Sequence, residues 1–155
     1  MSKLRDIKYN IKYRHQRAKK GFCDEDLFNI DGWFINVFPK MLDEFIECTC
    51  GCPANTELLH EEVNNFPISW IELQQDKIDK IQKKYDNEFD LSDSMTCWLL
   101  ILLRLKYCFE LCDEWNPCYN EYWDKKQYDE LDKLVEKHKK EAFYLFEKYF
   151  FALWW

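Results

Sequence analysis

Residues Met95–Cys112, MTCWLLILLRLKYCFELC, hold fourteen apolar side chains in eighteen positions, interrupted only by Thr96, Arg104, Lys106 and Glu110. A helix on a protein surface shows one apolar stripe and a polar remainder. This stretch is apolar nearly all round, so it reads as a helix, about 92–115, buried at the centre of a bundle. Its unbroken apolar run, Cys97–Leu103, is far shorter than the roughly 18–20 residues of a membrane span, and no membrane partner is expected. Ser92 or Ser94 can cap its start, Asp93 suits the positive end of the helix dipole, and Asn116-Pro117 ends it.

The rest of the chain supplies helices to pack around that segment. Aromatic residues are dense, while Gly and Pro number only three and four in 155 residues. That favours long helices over a β-sandwich, which needs many turn residues. Residues 3–20 form a basic amphipathic helix, with Leu4, Ile7, Ile11 and Arg14 or His15 on one face, and Gly21 is a natural stop. A second helix starts near Asp24 as N-cap, with Glu25 and Asp26 in its first turn. Leu27, Ile30, Phe34, Val37 or Phe38, Met41 and Phe45 recur at helical spacing, and Pro39 should kink or divide it. Thr56–Asn64 is a short helix. Ser69-Trp70-Ile71-Glu72 matches a capping box opening a helix to about Tyr85, with Ile71, Ile78, Ile81 and Tyr85 inward, before Asp86-Asn87-Glu88 leads on. A last helix from about Asp124 carries Leu131, Leu134, Val135, His138, Ala142, Leu145, Phe146, Tyr149, Phe150 and Leu153 at helical spacing. The sequence thus predicts one all-α domain over 1–155, a compact bundle of five or six helices.

Charge is uneven. The first twenty residues hold eight Lys or Arg and one acid, Asp6; the other 135 hold fourteen basic against twenty-eight acidic side chains. The overall net charge of −7 argues against general binding of DNA or RNA. The basic helix is either a solvated face that docks on acidic surface or a site for phosphate groups. Those first residues lack an apolar stretch of the signal-peptide kind, so a cytoplasmic location with mostly reduced cysteines is expected.

Several residue sets were candidates for chemistry. Cys48, Cys50 and Cys52 with His60 could hold a metal, although zinc sites usually space their cysteine pairs by two to four residues. A reduced surface loop explains them as well. Cys108 and Cys112, one helical turn apart, make a partial site with Cys118 or else pack as core. Asp24, Asp26 and Asp31 could act as acid/base groups or Mg²⁺ ligands, but capping and pairing with the first helix account for them more simply. His138 fits a partly buried core histidine. Glycines at 21, 32 and 51 alone exclude a phosphate-binding glycine loop, and no Ser-His-Asp or Cys-His arrangement has local context. No catalytic group and no cofactor is therefore expected. One constellation fits a ligand: Arg14, Arg17, Lys19 and Lys20 end the first helix, Phe22 follows, and Trp33 and the terminal Trp154 and Trp155 offer flat rings. Guanidinium groups for phosphates with aromatic rings for a base are what nucleotide recognition needs. Asp24, Glu25 and Asp26 occupy the same turn and oppose it by neutralising the arginines.

Two stretches also carry a resemblance. Gly21-Phe22-Cys23-Asp24-Glu25-Asp26-Leu27-Phe28-Asn29-Ile30-Asp31 follows a basic amphipathic helix. Leu145-Phe146-Glu147-Lys148-Tyr149-Phe150-Phe151-Ala152-Leu153-Trp154 closes the chain. Together with Phe66-Pro67, Trp70 and Ile78-Asp79-Lys80-Ile81, they resemble a family of small helical proteins encoded by tailed bacteriophages, usually left without an assigned function. The resemblance covers about the first 45 residues, 66–81 and the last dozen. It implies a phage origin and an all-helical fold; with a phage origin, the expected cytoplasmic location is the host cytoplasm. The expected function is a binder that sequesters a nucleotide-type immune signal of the host, a cyclic nucleotide or an ADP-ribose derivative, through Arg14, Arg17, Lys20, Phe22, Trp33 and Trp154. A homo-oligomer joined through the Trp-rich tail is expected with it. The alternative is a protein–protein interaction module with no small-molecule ligand.

Overall fold

Among the described residues of the computed structural model, 3–85 and 93–153, every regular element is helical. The helices are α1 (Lys3–Lys20), α2 (Ile30–Cys48), α3 (Thr56–Asn64), α4 (Ile68–Tyr85), α5 (Asp93–Glu110), α6 (Asn120–Asp124) and α7 (Tyr128–Tyr149), with 3-10 turns at Asp26–Phe28, Pro117–Tyr119 and Phe150–Ala152. The all-α class expected from the sequence is what the structure has. By its contacts the chain falls into two units, Met1–Val37 and Phe38–Trp155.

In the larger unit α5 is the central element and packs against α3, α4 and α7. The whole run Cys97–Leu105 is buried, Arg104 included. Burying each Leu, Ile, Phe or Trp stabilises the fold by about 1.5–3 kcal/mol, which is why an all-round apolar helix has to occupy the middle. Phe109 meets Phe38 and Phe146 edge-on, with centroids 5.0 and 5.9 Å away. Trp98 packs on Tyr149 at 5.6 Å. Ion pairs link α3 to α7 through Glu62 and Lys148 (2.5 Å) and α5 to the second half of α2 through Lys106 and Asp43 (2.7 Å).

Several boundaries differ from expectation, each for a local reason. The central helix stops at Glu110, short of Asn116-Pro117, because side chains from the following segment take its last carbonyls. Asn116 Nδ2 donates to Glu110 O at 3.0 Å and the Tyr119 hydroxyl to Leu111 O at 2.9 Å, satisfying acceptors that a helix end leaves open. Ser94 lies inside its first turn; Ser92 and Asp86-Asn87-Glu88 lie outside the described residues. Ser69 does not cap α4. The helix starts at Ile68, and the Pro67 carbonyl already accepts from the Trp70 and Ile71 N–H groups at 2.9 and 3.1 Å. The last long helix, α7, starts at Tyr128 and not at Asp124, which ends the short α6 instead; between them Lys126 takes φ 56°.

Pro39 does not divide α2, which runs through it to Cys48, although Pro39 has no N–H for the Ile35 carbonyl. The buried side of α2 is Pro39, Leu42 and Ile46, one position round from the expected stripe, and Met41, Leu27 and Ile30 are exposed. Ile7 and Ile11 of α1 are exposed too. Of the expected inward face of the last helix, Leu131, Val135, His138, Ala142, Leu145 and Tyr149 are buried and Leu134, Phe146 and Leu153 half-buried, while Phe150 is exposed. No described helix is long and apolar enough to cross a membrane.

Candidate functional site

The smaller unit turns at the end of α1. Gly21 adopts φ 81°, open to glycine at no steric cost, and its N–H donates to Arg17 O at 2.9 Å. The chain then folds back on the side chain of Asp26. Its Oδ2 accepts from the Cys23 N–H at 2.7 Å and from Arg17 Nε at 3.1 Å, while Oδ1 accepts from a terminal nitrogen of Arg17 at 2.6 Å. The Arg17 guanidinium, then burial working against it and the Cys23 N–H, leave the buried Asp26 carboxyl far below the usual carboxylate range. Lys12 Nζ pairs with Asp24 at 2.7 Å, and the Asp24 N–H donates to Gln16.

Asp24 therefore does not cap the second helix, and Asp26 is not in its first turn. Asn29 does the capping: its Oδ1 accepts from the Gly32 N–H at 3.1 Å. A Cβ at position 32 would come within 2.4 Å of that amide, so glycine is what admits the cap. Asn36 Nδ2 reaches the Gly32 carbonyl at 2.7 Å.

Between these elements lies an open pocket of about 520 Å³, with Arg17, Asp26, Asn29, Gly32, Trp33 and Asn36 in its walls and Glu25 as a second carboxylate. Two of the six expected ligand residues, Arg17 and Trp33, thus share one cavity. Arg14 and Lys20 are exposed on α1, three residues to either side of Arg17, and Phe22 is 40% exposed; none of the three lines the pocket. Trp154, like Trp155, lies outside the described residues. Asp26 uses two of the five N–H donors of Arg17, and the side chain remains 48% exposed. The guanidinium is therefore oriented, with donors still available.

The cysteine-rich loop does not gather into a metal site with His60. Cys48 and Cys50 are exposed, the Cys48 thiol points to the Phe45 carbonyl, and His60 Nδ1 lies 3.4 Å from Cys97 Sγ instead. Asp24 and Asp26 are held by Lys12 and Arg17, while Asp31 is exposed. Cys108 and Cys112 are buried; the Cys112 thiol donates to the Cys108 carbonyl, and Cys118 stands apart, exposed. Among the described residues one set of metal-ligating side chains does converge, in the larger unit: Cys108, His138 and Glu141. Sequence reasoning missed Glu141 and the two asparagines. Arg104 inside an apolar run was the available signal for Glu141, since a buried charge requires a partner, and Asn29 three residues before Gly32 follows the N-cap pattern.

Comparison with protein-family models, with curated proteins and with solved structures gave no match in any of the three.

Proposed function

We propose that this chain is a non-catalytic binding protein that sequesters a nucleotide-type signalling molecule in the pocket of its smaller unit. The observation that carries the proposal is the meeting of Arg17 and Trp33 in one cavity of about 520 Å³, a size that suits a ligand of this class. The walls hold one cation against two carboxylates. The pocket itself therefore suits a neutral, base-like portion, stacked on Trp33 with the Asn29 and Asn36 amides at its edge. The phosphates would lie outward, over Arg14, Lys20 and the free donors of Arg17. The lining holds no His, Cys, Ser or Lys, and of its two carboxylates Asp26 is taken up by Arg17, which favours binding over catalysis. The resemblance of the terminal motifs to tailed-bacteriophage proteins directs the proposal to signals of host defence, such as cyclic nucleotides and ADP-ribose derivatives, met in the host cytoplasm.

A second function, a protein–protein interaction module, is favoured by a different observation. Phe143, Phe150 and Phe151 remain exposed at the end of the chain, and Trp115, 68% exposed, stacks on Trp123 at 4.6 Å. Exposed aromatic clusters of this kind are typical of docking surfaces, including one for a second copy of the chain.

Melting temperature measured against cyclic di- and trinucleotides, ADP-ribose and cyclic ADP-ribose isomers separates the two. A ligand at about 100 times its Kd stabilises by about 2.7 kcal/mol, several degrees for a chain this size. A shift with one class, abolished in Trp33→Leu and with the ligand recovered intact, supports sequestration. No shift with any of them refutes it and leaves the interaction module, to be checked by sedimentation.

A further inference from the structure

We propose that Cys108, His138 and Glu141 form a binding site for one thiophilic divalent cation of the zinc class, between α5 and α7. Cys108 comes from α5, and His138 and Glu141 stand three residues apart on α7, so they rise from the same side of that helix. The Cys108 sulfur, one nitrogen of the His138 ring and one Glu141 oxygen all lie within 4.8 Å of one another. Around a tetrahedral zinc ion such atoms stand about 3.5 Å apart, so side-chain rotations of about an ångström close the triangle. Sulfur and imidazole donors select zinc and its neighbours over Mg²⁺ or Ca²⁺.

Three further features suit an ion. His138 is only 8% exposed, and its Nδ1 is buried with no hydrogen-bond partner. A core histidine that merely filled space would be expected to satisfy that atom. Second, Glu141 is already positioned. Arg104 Nε and a terminal nitrogen donate to its two oxygens at 2.5 and 2.9 Å, and the guanidinium is itself flanked by the rings of Trp70, Tyr107 and Phe66 at 5.0–5.7 Å. A carboxylate has about four lone-pair positions, so Arg104 leaves two, one of them met by the Cys108 thiol until its proton is lost to the ion, and an outer partner such as Arg104 is what metal-binding carboxylates have. Third, the ion's charge is partly compensated. On binding, Cys108 releases its thiol proton to solvent, and thiolate, carboxylate and Arg104 leave the doubly charged ion with a net charge of one inside the helical unit. Water completes the fourth position. The site lies in the unit that does not contain the nucleotide pocket and does not depend on it.

The test uses the full chain, freed of metal by a chelator and then titrated with Co²⁺ and Zn²⁺. The expected result is one Co²⁺ per chain, with a thiolate-to-cobalt charge-transfer band and a rise in melting temperature on adding Zn²⁺. The band disappears in Cys108→Ser and in His138→Gln and persists in a triple variant with Cys48, Cys50 and Cys52 changed to Ser. Circular dichroism confirms folding of each variant, and His138→Gln decides should Cys108→Ser fail to fold. A protein that gives no thiolate band overturns the proposal. So does a band that survives in folded His138→Gln, or one lost in the triple loop variant.

Discussion

The ion pair of Arg104 and Glu141 makes an asymmetric prediction. Arg104 sits in the middle of α5 with 8% of its side chain exposed, whereas Glu141 is 24% exposed. An arginine cannot shed its proton. Removing the charge of Glu141 thus leaves a buried cation with three ring faces and a weaker acceptor. Breaking a buried pair from one side costs about 3–5 kcal/mol, and the retained amide and rings place Glu141→Gln near about 3 kcal/mol. Arg104→Met leaves a carboxylate that can turn to water or take a proton, and should cost about 1–2 kcal/mol. The double variant Arg104→Met/Glu141→Gln removes both charges, so it should lose less than the two singles together, by at least about 1 kcal/mol. Urea unfolding at pH 7, followed by near-ultraviolet circular dichroism with chelator present, gives all three values. Comparison is at constant denaturant slope. If Glu141→Gln stays within about 1 kcal/mol of the parent, or the double variant loses the full sum, the pair is not coupled as its burial implies.

Two further outcomes follow from the charges and thiols. The folded Asp26 carboxyl is depressed by Arg17, so its contribution is present above the unfolded value of about 4 and is lost as pH falls through and below it. The melting-temperature gap between the parent and Asp26→Asn should therefore narrow from pH 5 to pH 3 (roughly the unfolded carboxylate range); a constant gap contradicts the clamp. With a thiol reagent at neutral pH, the exposed Cys48 and Cys50 should react first. Cys118, whose thiol burial raises, should lag, and Cys23, Cys97, Cys108 and Cys112 should react only on unfolding, burial having pushed Cys108 up strongly and Cys112 up to about 11. Mass mapping of the labelled peptides checks the order.

Where one local signal stood alone, the sequence located the element closely. Gly21 ended α1, Thr56–Asn64 was helical as read, and every buried position of α7 lay on the face read as inward. Competing signals produced the differences. Residues 33–46 carry apolar side chains on two stripes one position apart, and only packing in the larger unit chooses Leu42 and Ile46 over Met41. At α4 both Pro67 and Ser69 offered a start, and the carbonyl of Pro67 prevailed. The end of α5 depended on Asn116 and Tyr119 reaching back six and eight residues, which no window of helical periodicity contains.

For the sites, the sequence supplies donors and only the fold tells which are already occupied. Arg17 was visible as a phosphate ligand, and Asp26, in the same turn, as a carboxylate that opposes it. What decides is stoichiometry at the atomic level: Asp26 accepts from two nitrogens of Arg17 and from the Cys23 N–H, which fixes the guanidinium while its side chain stays half exposed. The N-terminus of α2 is partly closed by Asn29. In the proposed function the anion affinity of this corner comes from the exposed Arg14 and Lys20 more than from the pocket walls, and it should weaken with salt as surface charges do, while stacking on Trp33 should not. Ligand affinity that falls steeply with salt in the parent and is uniformly weaker, with the same slope, in Trp33→Leu would show the two contributions to be separate.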